Sequence, residues 1–172
     1  MKTKIIKYCS IFILIIATLC IIYFAMVISP FVGGILSPPD SKKMEKYFLN
    51  NSNEMYNIGE YLKNENYQYI RIDKNEGTDI MYVKDDENIG KNILIEDDSI
   101  KECINILYNC GFRVIEKNSN YVQFSRWSSL DSSRGVVYSF IENKPYIDHV
   151  TELTPLSVDD WYYYEHNIEK SK

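Results

Sequence analysis

The sequence predicts an α+β protein: a single N-terminal transmembrane helix followed by a small domain of two or three helices packed on a mainly antiparallel sheet. Three observations predict it. An uncharged apolar run fills residues 8–29, later segments carry apolar residues at helical spacing, and several short alternating or β-branched runs are separated by polar turns. Four stretches follow: a cytoplasmic N-terminus at 1–7, a signal-anchor helix at 8–29, a Gly/Pro spacer at 30–40 and an acidic α+β domain at 41–172. At 172 residues, the length favours one domain beside the anchor.

From Tyr8 to Ser29 lie 22 residues without a charge. As a helix rising about 1.5 Å per residue they cover roughly the 30 Å of a bilayer's hydrocarbon, so the lipid bilayer is the first expected partner. A cleaved secretory signal is the competing reading, but its apolar region is about 7–15 residues long, and Ser29 as the last residue of a cleavage site would be followed by Pro30. Lipidation at Cys20 is disfavoured because Leu19, not a small residue, precedes it; Cys9 and Cys20 read as buried thiols. Lys2, Lys4 and Lys7 flank the N-terminal side, which places the N-terminus inside the cell membrane and the C-terminal domain outside in a single-pass arrangement, although Lys42 and Lys43 reduce the contrast. Gly33, Gly34, Pro38 and Pro39 then break the helix.

Those three lysines are the bases before residue 40, which leaves 16 bases against all 24 acids and a formal charge of −8 for residues 40–172. Nucleic acid is not an expected partner, since phosphate neutralisation supplies most of such affinity. The same charge opposes lying flat on an anionic membrane surface.

Asp40 and Ser41 are competent N-caps, and Met44, Tyr47, Phe48, Met55, Ile58 and Leu62 continue at helical spacing, with a possible break at Asn50–Asn53 where Asn51 and Glu54 could cap a second segment. "YQYIRI" (67–72) and "DIMYV" (79–83) read as a hairpin around "DKNEG". In "DDSIKECINILYNCGF", Ser99 and Glu102 match a capping box, while Ile100, Cys103, Ile104, Leu107 and Cys110 line one face and Gly111 occupies the C-terminal stop. Cys103 and Cys110, two turns apart along about 10.5 Å of axis, cannot pair. An external domain with unpaired thiols suits a Gram-positive-like bacterial surface, and the Lys, Asn, Ile and Tyr usage suits an AT-rich genome. "FRVIEK", "YVQFSRW" and "GVVYSFI" form a meander, the last two joined by the polar "SSLDSSR". Pro155 confines any regular strand near it to an edge, so 145–160 reads as a loop with an extended piece at Val150–Leu153.

Few residues point to chemistry. No cofactor and no metal is expected: His149 and His166, the two histidines, have no zinc-like spacing to the cysteines, and no Gly-rich phosphate loop follows a strand. "DKNEGTD" begins like a calcium loop but has Thr78 at the glycine position and Lys84 at the final acid position, so it reads as a hairpin turn. Asp85–Glu87 and Glu96–Asp98 read as a solvated loop and a favourable helix N-terminus. No catalytic residue is assigned.

The sharpest feature is "DDWYYYEHN". As a strand it alternates Trp161 and Tyr163 with Tyr162 and Tyr164, one pair packing on the core and the other exposed or covering a neighbour. The functional reading makes Trp161, Tyr162, Tyr163 and Tyr164, with Asp148 and His149 of the preceding loop, a ligand or partner surface, because Tyr and Trp anchor interfaces. Tyr67, Tyr69 and Trp127 beside Arg126 are further exposed candidates among 15 tyrosines. The expected function is a non-enzymatic, extracytoplasmic interaction domain with a protein or envelope partner. Its alternatives are a cell-surface hydrolase or transferase using His149 with nearby carboxylates, and an immunity- or inhibitor-type membrane protein.

Overall fold

The computed structural model describes residues 16, 18, 23, 38–85, 89–129 and 132–167. The chain divides into two units, Met1–Pro38 and Pro39–Lys172. The expected span at 8–29 lies outside the described residues except for three positions, and among the described residues no helix is long and apolar enough to cross a membrane.

In the second unit the described residues form three helices on an eight-stranded antiparallel sheet, the α+β architecture the sequence predicts. The elements are α1 (Ser41–Asn50), α2 (Ser52–Lys63), β1 (Tyr69–Asp73), β2 (Ile80–Lys84), β3 (Gly90–Leu94), α3 (Asp98–Asn109), β4 (Val114–Asn118), β5 (Tyr121–Ser128), β6 (Ser132–Ser139), β7 (Val150–Pro155) and β8 (Trp161–Asn167). The strand order is β3-β2-β1-β4-β5-β6-β8-β7, with every neighbouring pair antiparallel.

Local chemistry explains the helix ends. Asp40 caps α1 by accepting from the Lys43 amide at 2.9 Å. The expected break falls at Asn51, but its side chain turns back to donate to the Tyr47 carbonyl at 2.7 Å and does not cap α2. In α3 the cap lies two residues earlier than the Ser99–Glu102 box: Asp97 accepts from the Ser99 and Ile100 amides, because a carboxylate already stands where two orphan donors converge. Gly111, at φ 95°, ends α3 in the left-handed conformation.

One face of the sheet carries the core. The cross-strand row Val83–Ile70–Lys117–Val122–Tyr138–Trp161 is buried throughout. Trp161 is its hub, with ring centroids 4.7 Å from Phe48 of α1 and 4.8 Å from Tyr138. Lys117 is the exception in type: its ammonium donates to the carbonyls of Glu65 (2.8 Å) and Tyr67, tying down the chain between α2 and β1, and burial pushes its pKa down. Cys103 and Cys110 are unpaired and pack half-buried against this core.

Two elements differ from the sequence reading. "GKNIL" forms β3, an edge strand without an apolar alternation to announce it, since all its residues but Ile93 are exposed. The polar "SSLDSSR" is largely strand, because β5 runs to Ser128 and β6 starts at Ser132; a bulge between Ser125 and Trp127 adjusts the register. Pro155 does end a strand, β7, at the outer edge of the sheet as the edge exception allows.

Candidate functional site

Strand alternation makes a second row on the face away from the helices. Directly paired residues run Asn92–Tyr82–Arg71–Glu116–Gln123–Val137–Tyr162–Pro155 across all eight strands. Its two ends differ. Strands β6 and β7 are parallel with β8 between them, so the connector 140–149 must return along the sheet from one end to the other. Val137 and Tyr164 are fully buried on this face, Pro145 of the connector is buried, and Asp148 acts electrostatically on Tyr121, observations that place the connector across this half.

The other half, over β2, β1 and β4, is bare and polar. Arg71 sits at its centre, donating through Nη1 to Glu116 at 2.7 Å and through Nη2 to Asp73 at 2.8 Å. Tyr69 donates its hydroxyl to the same Glu116 oxygen at 2.7 Å. Partial burial, then the Glu116 carboxylate, raises the Tyr69 pKa, while hydrogen bonds to Asn75 and Arg71 hold Asp73 below its ordinary range despite the opposing effect of burial. Asp73, the first acid of the calcium-like stretch, is thus engaged by Arg71 and by the Asn75 amide at 3.0 Å. Around Arg71 lies a depression of 430 Å³ lined by Gln68, Tyr69, Arg71, Tyr82, Lys84, Asn118 and Ser119. The Lys84 ammonium stands 5.7 Å from the centroid of the Tyr69 ring.

The six residues singled out in the sequence are not brought into one surface. Trp161 and Tyr163 enter the core, at 4% and 1% exposure, as one alternating pair should. Tyr164 lies on the opposite face, yet is fully buried, with its hydroxyl 2.6 Å from Ser125 Oγ; burial pushes its pKa up to about 12 against the hydrogen bonds of Ser125, Gln123 and Ser133. Tyr162 is half-buried in the same row as Arg71, and Asp148 and His149 are exposed at the end of the connector. Asp148 takes a hydrogen bond from Tyr146. His149, at φ 60°, presents its ring edge-on to His166 with centroids 6.0 Å apart, and burial followed by the His149 charge lowers the His166 pKa.

Among the other aromatic candidates, Tyr67 packs on the rim of the core and Trp127 lies 5.9 Å from the guanidinium of Arg134, while Tyr69 is on the bare face. Arg71, Tyr82, Lys84 and Glu116 were not foreseen. Their signal is the polar phase of β1, β2 and β4, where positions 69, 71, 82, 84 and 116 alternate with buried Ile70, Ile72, Met81, Val83 and Ile115. No protein-family model matches the chain, and neither a curated protein nor a solved structure matches it.

Proposed function

We propose that this chain is a membrane-tethered, non-enzymatic binding protein whose acidic domain lies outside the cell and engages a protein or envelope component through the bare half of its sheet. The observation that carries the binding role is the polar depression around Arg71, on a half of the sheet that neither the helices nor the connector covers. A sheet face without a protein layer normally needs only solvated side chains; here the side chains are locked by charge-assisted hydrogen bonds into a concave, preorganised surface. The anchor is supported by the 22 uncharged residues at 8–29, and its orientation by Lys2, Lys4 and Lys7.

The test has two steps on intact cells. Protease added outside should remove a C-terminal tag; protection of the tag alongside a cleaved surface control would reverse the orientation. A photo-crosslinking residue at Ser119, on the rim of the depression, should then give a discrete adduct that is missing with the same residue at Lys63 on the helical side. An adduct at 63 and none at 119 would move the binding surface to the helices.

A further inference from the structure

We infer that the depression around Arg71 takes a sugar-sized anionic ligand, whose carboxylate or phosphate meets Lys84 while its ring lies against Tyr82; the inference rests on reading this depression as the binding site. Residues 40–172 carry a formal charge of −8, yet the lining contains two cations and no carboxylate. Glu116 and Asp73 hold the two ends of the Arg71 guanidinium and fix its direction. Among the described residues Lys84 makes no ion pair and stands over the Tyr69 ring, 5.7 Å from its centroid, on the lining of the depression, where its charge can meet a ligand.

The remaining lining groups set the ligand's other properties. Gln68, Asn118 and Ser119 offer amides and a hydroxyl, and no aliphatic side chain is present, which suits a hydroxylated body and not an apolar one. Tyr82 reaches across to Gly90 of the edge strand: a Cβ on Gly90 would stand 1.9 Å from the Tyr82 hydroxyl oxygen. The missing side chain is what lets this ring lie over the strand as a wall of the depression. A volume of 430 Å³ is near the lower end for small-molecule sites, about 300–1,000 Å³, and fits one sugar ring with its charged substituent better than a polymer segment.

Saturation-transfer NMR on the full-length protein in neutral detergent micelles tests this with three probes: glucuronic acid, glucose 6-phosphate and glucose. At least one acidic probe should bind about tenfold more tightly than glucose, and Lys84→Met should remove that tenfold advantage while Lys63→Met leaves it. Binding of glucuronic acid alone would identify the carboxylate as the recognised group; binding of the phosphate alone would identify the phosphate. Equal binding of glucose and the acids, an unchanged advantage in Lys84→Met, or no signal from either acid would overturn the inference. If glucose binds equally and Tyr82→Ala abolishes it, the anion inference falls and the depression remains the site. No binding of any of the three probes together with a missing crosslink at Ser119 sinks the site itself.

Discussion

The two halves of the helix-free sheet face are built from the same alternation and end in opposite states. Over β5, β6 and β8, the residues pointing away from the helices include Val137 and Tyr164, both fully buried; over β2, β1 and β4 they include Tyr82, Arg71 and Glu116, which line or support an open depression. A strand's period assigns a side chain to a face, but only a covering segment decides whether that face is core or surface. Here one half is a second small core beside the ten-residue return from β6 to β7, and the other stays open.

Two glycines contrast the halves most sharply. A Cβ on Gly135, in the covered half, would lie 2.0 Å from the Phe124 carbonyl oxygen and 2.7 Å from Tyr164 Cε1, whereas on Gly90 it would meet the end of the Tyr82 side chain. Backbone cannot yield where a ring on an open face can swing. Gly135→Ala should therefore cost about 3 kcal/mol, and Gly90→Ala should stay within about 0.5 kcal/mol, in urea unfolding of the micelle-bound protein. Equal costs would break the distinction.

Alkaline pH probes the helix-side core and the covered half together. Burial pushes Tyr163 and Tyr164 up to about 12, while phenols in the unfolded chain titrate near pH 10. Between these values the folded state binds more protons than the unfolded one, so their contribution, complete below pH 10, declines as pH rises through about 12. The melting temperature should fall across that window. Absorbance of tyrosinate near 295 nm then separates the bare half from the core: Glu116→Gln should bring Tyr69 to titrate earlier and leave Tyr163 in place, because Glu116 accepts the Tyr69 hydroxyl and is absent from the groups acting on Tyr163.

Smaller effects refine the contrast. Tyr164→Phe deletes the 2.6 Å bond to Ser125 in a buried site and should cost about 1 kcal/mol, with Tyr82→Phe nearly neutral in the same unfolding assay. Arg71→Met breaks both ion pairs, but with the Arg71 side chain 40% exposed the loss should be no more than about 1 kcal/mol and should shrink as salt is added. A larger, salt-insensitive loss would mean that the bare half is part of the structural core after all.

Much of this fold was legible residue by residue. Met44, Phe48, Ile58 and Leu62 declared the buried stripe of α1 and α2, and Ile70 with Ile72 declared β1, because helical and strand periods are local properties of the chain. The polar partners of those same strands were equally visible, yet nothing local distinguished Arg71, which lines the depression, from an ordinary solvated residue. Its meaning comes from Glu116, 45 positions away, and from Lys84 on the neighbouring strand. The aromatic run misled in the opposite way: it drew attention as a surface, while Trp161 and Tyr163 serve the core and Tyr164 is fully buried on the other face, bonded to Ser125.

The sequence by itself determined the apolar stretch at 8–29, the acidic balance of the rest, the α+β class and most element positions, since composition and periodicity act over a few neighbouring residues. Only the tertiary structure decided the strand order, the fully buried state of Tyr164 and the exposure of the Arg71 depression. These depend on which strands pair and where the β6–β7 return crosses, and long-range pairing is set by the packing of the whole domain, not by any single segment.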